Sequence, residues 1–315
     1  MKKILLGIVA ALIALLATAT AMNWLAPLST AQLLRNLSRA MAGLEQRAIT
    51  VQGKTWPYLA GGGGEALVLV HGYTSNKDVW TMIARHLTPY YTVYAPDLPG
   101  FGDANRDPAA DYGFDAQVEN LRAFLQGLGL TRVHLAGNSM GGGIAAGYAA
   151  RYPQEVASLW LLDAAATQEL ADSDLMRHYD ATGEFPLLVR TREEQVRKLE
   201  LVFGKPRYVP HALIVDQSEA ARKDFDLHSQ ILKAIRRGAP IESRYAHLQT
   251  PALIVTGDQD RVVPPASVRT LARVFPNSQV RVMPGLGHIP MIEDPKTTAE
   301  DYLAFRAALT GARRP

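Results

Sequence analysis

No cysteine occurs among the 315 residues, so the chain can hold no disulfide framework, no thiol nucleophile and no cysteine-ligated metal. That absence suits either side of a bacterial inner membrane. No Lys/Arg stripe interleaved with aromatics appears, and the formal charge is only +3, which removes nucleic acid as an expected partner. No histidines stand at His-x-x-x-His or His-Glu-x-x-His spacing, so nothing supports metal-assisted hydrolysis, and no metal or other cofactor is expected. No charge interrupts the run from Ile4 to Met22, which at 19 residues can cross a hydrocarbon core of about 30 Å.

That run follows Lys2 and Lys3 and closes on small residues, Ala17-Thr18-Ala19 and Ala19-Thr20-Ala21. Two readings stand: a cleaved signal peptide, or an uncleaved anchor. The run exceeds an ordinary signal-peptide core, which favours a transmembrane anchor over residues 1–25. The positive-inside rule then puts the N-terminus in the cytoplasm and the rest of this single-pass inner-membrane protein in the periplasm. Gly7 and the Ala-rich stripe would suit a homodimer paired through this helix. Pro27 predicts a kink, and Ser29-x-x-Gln32 reads as a capping box opening a helix over Thr30–Gln46. Leu33, Leu34, Leu37, Met41 and Leu44 share one face of that helix, within a juxtamembrane segment of residues 26–47. The face would lie on lipid or pack on the globular domain; periodicity does not choose between them.

The remainder, in a chain 48% hydrophobic, is enough for one large α/β domain with an insertion. Strand signals occur at Ile49–Val51, Thr55–Ala60, Ala66–Val70, Tyr91–Ala95, Val133–Ala136, Val156–Leu162, Pro251–Thr256 and Val280–Met283. Helical stretches lie at about 114–128, 142–150 and 295–309. Such alternation predicts a mostly parallel sheet with helices on both faces.

The chemistry clusters at the strand ends. Gly137-Asn138-Ser139-Met140-Gly141 stands between a strand and a small-residue helix, which is where a sharp turn lifts a nucleophilic serine above the sheet. Glycines are required two before and two after that serine, because a side chain at either place would clash with the neighbouring strand or helix. A carboxylate pair, Asp258 and Asp260, follows the strand ending near Thr256, and Gly285-Leu286-Gly287-His288 follows the last strand. Ser, acid and His therefore come in the chain order of a serine hydrolase. The other histidines have simpler explanations in strands, helices or the insertion, with His71 opening the loop after Val70.

These motifs together resemble the α/β-hydrolase superfamily, from about Ile49 to Leu309: His71-Gly72 after one strand, Asp97-Leu98-Pro99-Gly100-Phe101-Gly102 after the next, then the serine elbow, Gly257-x-x-Asp260 and Gly287-His288. With the N-terminal apolar segment, the chain is similar to bacterial membrane-anchored phospholipases A and lysophospholipases. The resemblance implies a triad of Ser139, Asp260 and His288, with Asp258 left as a turn-former. It implies an oxyanion hole from the backbone N–H groups of Tyr73 and Met140, and hydrolysis of membrane phospholipid or lysophospholipid to release a fatty acid.

The catalytic domain is expected over residues 48–163 and 249–315, with a helical lid over 164–248. Within the lid, Thr191–Phe203 reads as a helix with Val196, Leu199, Val202 and Phe203 on a face packed mainly against the body, and with Glu193–Arg197 and Glu194–Lys198 ion pairs. Two other functions share the motifs: an esterase or carbon–carbon bond hydrolase for soluble substrates, and a noncatalytic membrane-bound binding module. Serine at position 139 disfavours dehalogenases and epoxide hydrolases, whose nucleophile is aspartate.

Overall fold

Eight strands form one sheet in the order β1-β2-β4-β3-β5-β6-β7-β8 in the computed structural model, which describes residues 2–311. They are β1 (Glu45–Val51), β2 (Lys54–Gly62), β3 (Glu65–Val70), β4 (Tyr91–Pro96), β5 (Val133–Asn138), β6 (Val156–Leu162), β7 (Ala252–Gly257) and β8 (Ser278–Met283). β1 and β2 form an antiparallel hairpin, and β2 runs antiparallel to β4. Every other pairing is parallel, as the alternating sequence predicts.

The hairpin begins earlier than expected. Gln52 and Gly53 both take positive φ, 51° and 74°, the turn that matches the twist of paired strands and lets β1 extend back to Glu45.

Side chains on the central strands alternate between two cores. Val68 and Val70 of β3 enter one, Leu67 and Leu69 the other. Leu159 and Leu161 of β6 likewise oppose Trp160 and Leu162. Helices α4 (Phe114–Gly127), α5 (Met140–Arg151) and α12 (Ser267–Val274) cover the first face. The second is covered by α3 (Thr81–Ala84), α13 (Pro290–Glu293) and α14 (Pro295–Thr310), with Trp160 stacked on Tyr302 at 4.4 Å.

Between β6 and β7 the chain makes only helices: α6 (Gln168–Ala171), α7 (Asp174–Thr182), α8 (Arg192–Val202), α9 (His211–Lys223), α10 (Phe225–Ile235) and α11 (Ile241–Arg244). These six helices form an insertion between β6 and β7. In α8 the expected surface ion pair between Glu194 and Lys198 does not form. Glu194 instead closes a capping box with Thr191, and Lys198 turns inward. Val202 and Phe203 are buried as predicted, whereas Val196 faces solvent.

At the N-terminus, α1 (Lys2–Leu25) is long and apolar enough to cross a membrane, and none of its residues is buried. The predicted kink lies at Ala26, but the next helix, α2 (Pro27–Met41), starts at Pro27 and not at a Ser29 cap. Proline at the first helical position has φ already set and needs no donor, so the Ser29-x-x-Gln32 pattern falls inside the helix. Nor does α2 reach Gln46. Gly43, at φ 65°, ends it, and Leu44 drops into the core while Glu45 starts β1.

Burial divides α2 into a covered and an exposed side. Thr30, Ala31 and Arg39 are covered, whereas Leu28, Leu33, Leu37 and Met41 are all more than half exposed. Polar groups seat the helix on the body: Arg39 forks onto Asp78, Ser38 donates to Thr81, and Arg35 pairs with Asp216.

Candidate active site

Strand β5 ends in a strained turn. Ser139 adopts φ 54° and ψ −122°, a region L-residues enter only where surrounding structure forces them. The forcing contacts are steric. A Cβ at Gly137 would lie 2.2 Å from the Gly141 carbonyl oxygen, and one at Gly141 would lie 2.1 Å from that of Val70. The glycine spacing is therefore what the turn demands. Met140 opens α5, where its N–H has no partner within the helix and the helix N-terminus favours negative charge.

Across the sheet edge, β7 ends at Gly257 and the turn after it carries both acidic candidates. Asp258 is exposed, and its Oδ1 accepts from the N–H of Gly285 at 2.7 Å, which makes it a loop tie. Asp260 is buried and turned inward. Its Oδ1 accepts from the N–H groups of Val262 and Val263, at 2.7 and 3.1 Å, and its Oδ2 lies 2.8 Å from His288 Nδ1. Of the two carboxylates, the structure brings Asp260 alone to the histidine.

His288 is also buried, and the loop that carries it is fastened from three sides. Its N–H donates to Val202 O at the end of α8, its carbonyl accepts from Asn138 Nδ2 at 3.0 Å, and Glu293 accepts from Gly287 N–H. The bond from Asn138 joins the residue before Ser139 directly to the histidine. Glu293 also accepts from Gly204 N–H, which locks the insertion to the same loop.

The loop after β3 completes the site. His71 is buried. Its Nδ1–H donates to Gly72 O, and its Nε2 accepts from Leu98 N–H, a single tautomer satisfying both. A Cβ at Gly72 would come 3.2 Å from Ser139 Cβ, so this loop passes tightly over the elbow and brings Tyr73 beside it. The following turn is held by a buried cation: Lys77 Nζ binds Asp97 and Asp103 at 2.6 Å each, which accounts for the aspartate opening the Asp97–Gly102 motif.

Two functional candidates were invisible in the sequence. Asp163, buried at the end of β6, shares the neighbourhood of Asp260 and His288, the three offering ligand atoms within 4.8 Å of one another. Such a cluster could hold a cation, although Asp260 Oδ2 and His288 Nδ1 already face each other at hydrogen-bond distance. Burial first, and then the charge of Asp260, hold the Asp163 carboxyl well above the usual carboxylate range. The second is Lys198, whose ammonium donates to Thr74 Oγ1 at 2.7 Å in the loop beside Tyr73.

The insertion covers this arrangement. Tyr73 OH donates to His228 O in α10, and the Tyr73 ring packs among Phe101, Phe185 and His228. An open cleft of about 410 Å³, lined among others by Tyr112, Phe114, Arg237 and Arg244, includes none of the triad candidates, all of which are buried.

A family model described as the alpha/beta hydrolase fold matches residues 65–295. Lipase 1 of Psychrobacter immobilis is 35% identical over 292 residues, which cover 90% of this chain and 91% of that protein. Lipase 3 of Moraxella sp. (strain TA144) is 35% identical over 299 residues, covering 92% and 93%. Among solved structures, the crystal structure of a membrane phospholipase A, described as a bacterial virulence factor, superposes with a TM-score of 0.87 at 37% identity, over 99% of this chain and 100% of that one.

Proposed function

The chain belongs to the α/β-hydrolase family, and from that premise we propose that it is a serine carboxylic-ester hydrolase of lipids, a phospholipase A or lysophospholipase. The observation that carries the reading is the buried pairing of His288 Nδ1 with Asp260 Oδ2 at 2.8 Å, in a loop tied to the serine elbow by Asn138.

In this reading His288 Nε2 takes the proton of Ser139 as its Oγ attacks the ester carbonyl, and Asp260 fixes the imidazole tautomer and stabilises its charge. The tetrahedral oxyanion receives hydrogen bonds from the N–H groups of Met140 and Tyr73. His288 returns the proton to the departing alcohol, leaving an acyl-serine. It then activates the water that releases the fatty acid and regenerates the serine.

Lipid as the substrate class is supported by the lipases and the membrane phospholipase A that match nearly the whole chain. It is supported equally by the uncovered α1 and by the exposed leucines of α2, which suit a span followed by an interfacial helix. The protein would sit in the inner membrane with its N-terminus in the cytoplasm and its active site facing the periplasm. Mass spectrometry of membrane-purified protein tests the anchor, since a mature terminus near Met22 would show a cleaved signal peptide.

The activity is tested with detergent-solubilised enzyme on phospholipids, lysophospholipids, monoacylglycerols and soluble esters. Lipid esters should be preferred, and Ser139→Ala should abolish turnover while leaving expression and membrane location unchanged. Residual activity above about a hundredth would overturn the nucleophile assignment, because losing a catalytic serine costs far more than that. Preference for soluble or ring-fission substrates would overturn the lipid assignment.

A further inference from the structure

Lys198 is a lysine with no carboxylate partner among the described residues. It projects from α8 toward the oxyanion loop, where Nζ lies 2.7 Å from Thr74 Oγ1 and 3.4 Å from Thr74 O. Both contacts are neutral, and among the described residues it forms no ion pair with a carboxylate. The residue is half-buried, and burial pulls the ammonium down to about 8. The titratable side chain whose charge it affects is His228, itself held neutral by burial, so it supplies no counter-charge.

The surroundings are otherwise apolar and buried. Tyr73, Phe101, Phe185 and His228 form an aromatic wall beside the loop that carries Thr74. A single unpaired cation at the edge of such a wall lowers stability unless something anionic arrives there, because a crowded ammonium is disfavoured without a counter-charge. Ammonium groups carry three donors, and Thr74 leaves at least one free for a ligand oxygen.

We propose that Lys198 reads an anionic group on the lipid: its ammonium binds a phosphate or carboxylate oxygen, belonging either to the phosphodiester of the head group or to the carboxylate of the released fatty acid. The inference rests on the reading of Ser139 as a lipid-ester nucleophile. It adds that one lid residue distinguishes charged from neutral lipid esters with the same acyl chain. A lysine serves here as a point charge able to follow a mobile phosphate, where an arginine fork would impose one geometry.

The experiment compares wild type, Lys198→Gln and Lys198→Arg, with Lys233→Gln, an exposed lid lysine, as the charge-matched control. One arm measures the ratio of kcat/KM for 1-myristoyl lysophosphatidylglycerol to that for monomyristoylglycerol. The other measures inhibition of monomyristoylglycerol turnover by free myristate. If the anion is the head-group phosphate, Lys198→Gln lowers the ratio about tenfold; if it is the product carboxylate, the ratio holds and myristate inhibition weakens about tenfold. Lys198→Arg, which keeps the charge, should recover most of either effect, and Lys198→Met, which keeps the stem and removes the charge, stands as the second variant if the glutamine protein folds poorly. Equal loss on both substrates with unchanged inhibition would show that Lys198 only closes the lid onto Thr74, and would overturn the proposal, as would no change in either arm. Should the phospholipase reading itself fail, so that only neutral esters are turned over, the myristate arm still decides on Lys198.

Discussion

Asp163 and Asp260 bring two carboxyl groups into one buried site, and of the two Asp260 faces His288 Nδ1 at hydrogen-bond distance. Two backbone N–H groups and the imidazole surround Asp260, while one oxygen of Asp163 accepts from Thr256 and Gly257 and the other has no hydrogen-bond partner among the described residues. Two neighbouring carboxylates in a dry site cannot both ionise cheaply, and burial together with the charge of Asp260 raises the Asp163 carboxyl well above the usual carboxylate range. Asp163 thereby supports the Asp260–His288 pair from the end of β6 without bonding to the imidazole itself, a positioning residue for His288.

Asparagine imitates a protonated carboxyl, so Asp163→Asn should cost no more than a few-fold in kcat. Asp260→Asn should cost on the order of 10³ to 10⁴, the penalty of an imidazole without its orienting anion. Asp258→Asn, which loosens only a loop tie, should resemble wild type. Steady-state turnover of a short p-nitrophenyl ester separates the three, and a crippling Asp258→Asn would show that the acid had been assigned to the wrong aspartate.

The elbow could be read from sequence because its glycines are demanded by backbone clashes, and because Ser139, Asp260 and His288 follow strands in a fixed order. Asp163 could not. A lone aspartate after an apolar strand looks the same whether it makes a turn or shares a proton. Lys198 was misread for a related reason: the spacing of Glu194 and Lys198 suits a surface pair, but helix spacing does not reveal that Glu194 is needed at the helix start. Leu44 continued the helical period of α2, and only the left-handed backbone at Gly43 decided that it belongs to the core.

Gly141→Ala should be far more damaging than its one methyl suggests. The added Cβ would fall 2.1 Å from Val70 O and 2.5 Å from His71 O, backbone atoms of the strand and loop that frame the site. Neither can move without displacing the oxyanion loop, so a loss of roughly 3 kcal/mol or more is expected. Thermal unfolding should show a large fall in Tm or no folded protein at all, and a variant with wild-type Tm and activity would contradict the close approach.

Acid should destabilise the fold through two histidines. Burial pulls both His134, beside Ser158, and His228, stacked on Phe101, down to about 4. In the unfolded chain each takes a proton near pH 6.5, so between 6.5 and 4 the unfolded state binds more protons than the folded one. Their contribution is thus fully present above pH 6.5 and is lost as pH falls toward 4, on the order of 3 kcal/mol from each at most. Tm should drop between pH 7 and pH 5, and His228→Gln, whose amide can still donate to Gly100 O, should flatten that drop. A Tm independent of pH over this window would contradict the buried, neutral histidines.

The end of α1 touches the helical insertion, and this contact yields the last expectation. Trp24 stacks on His211 with ring centres 4.1 Å apart and planes 15° from parallel, Asn23 Oδ1 accepts from Ala212 N–H, and Arg35 of α2 pairs with Asp216. All three partners lie on α9, inside the insertion that covers Ser139. With α1 in a bilayer, as proposed above, its depth would also set where α9 and the rest of the insertion sit, and would hold the site near the lipid surface. Deleting residues 1–27 should reduce phospholipid turnover in vesicles by about tenfold or more relative to turnover of short soluble esters, since substrate must then leave the membrane to reach the serine. Trp24→Ala should move the same ratio in the same direction by less, because the span remains and only its grip on α9 is lost. If truncation lowers both activities equally, the anchor serves stability alone, and its contact with the lid has no part in choosing the substrate.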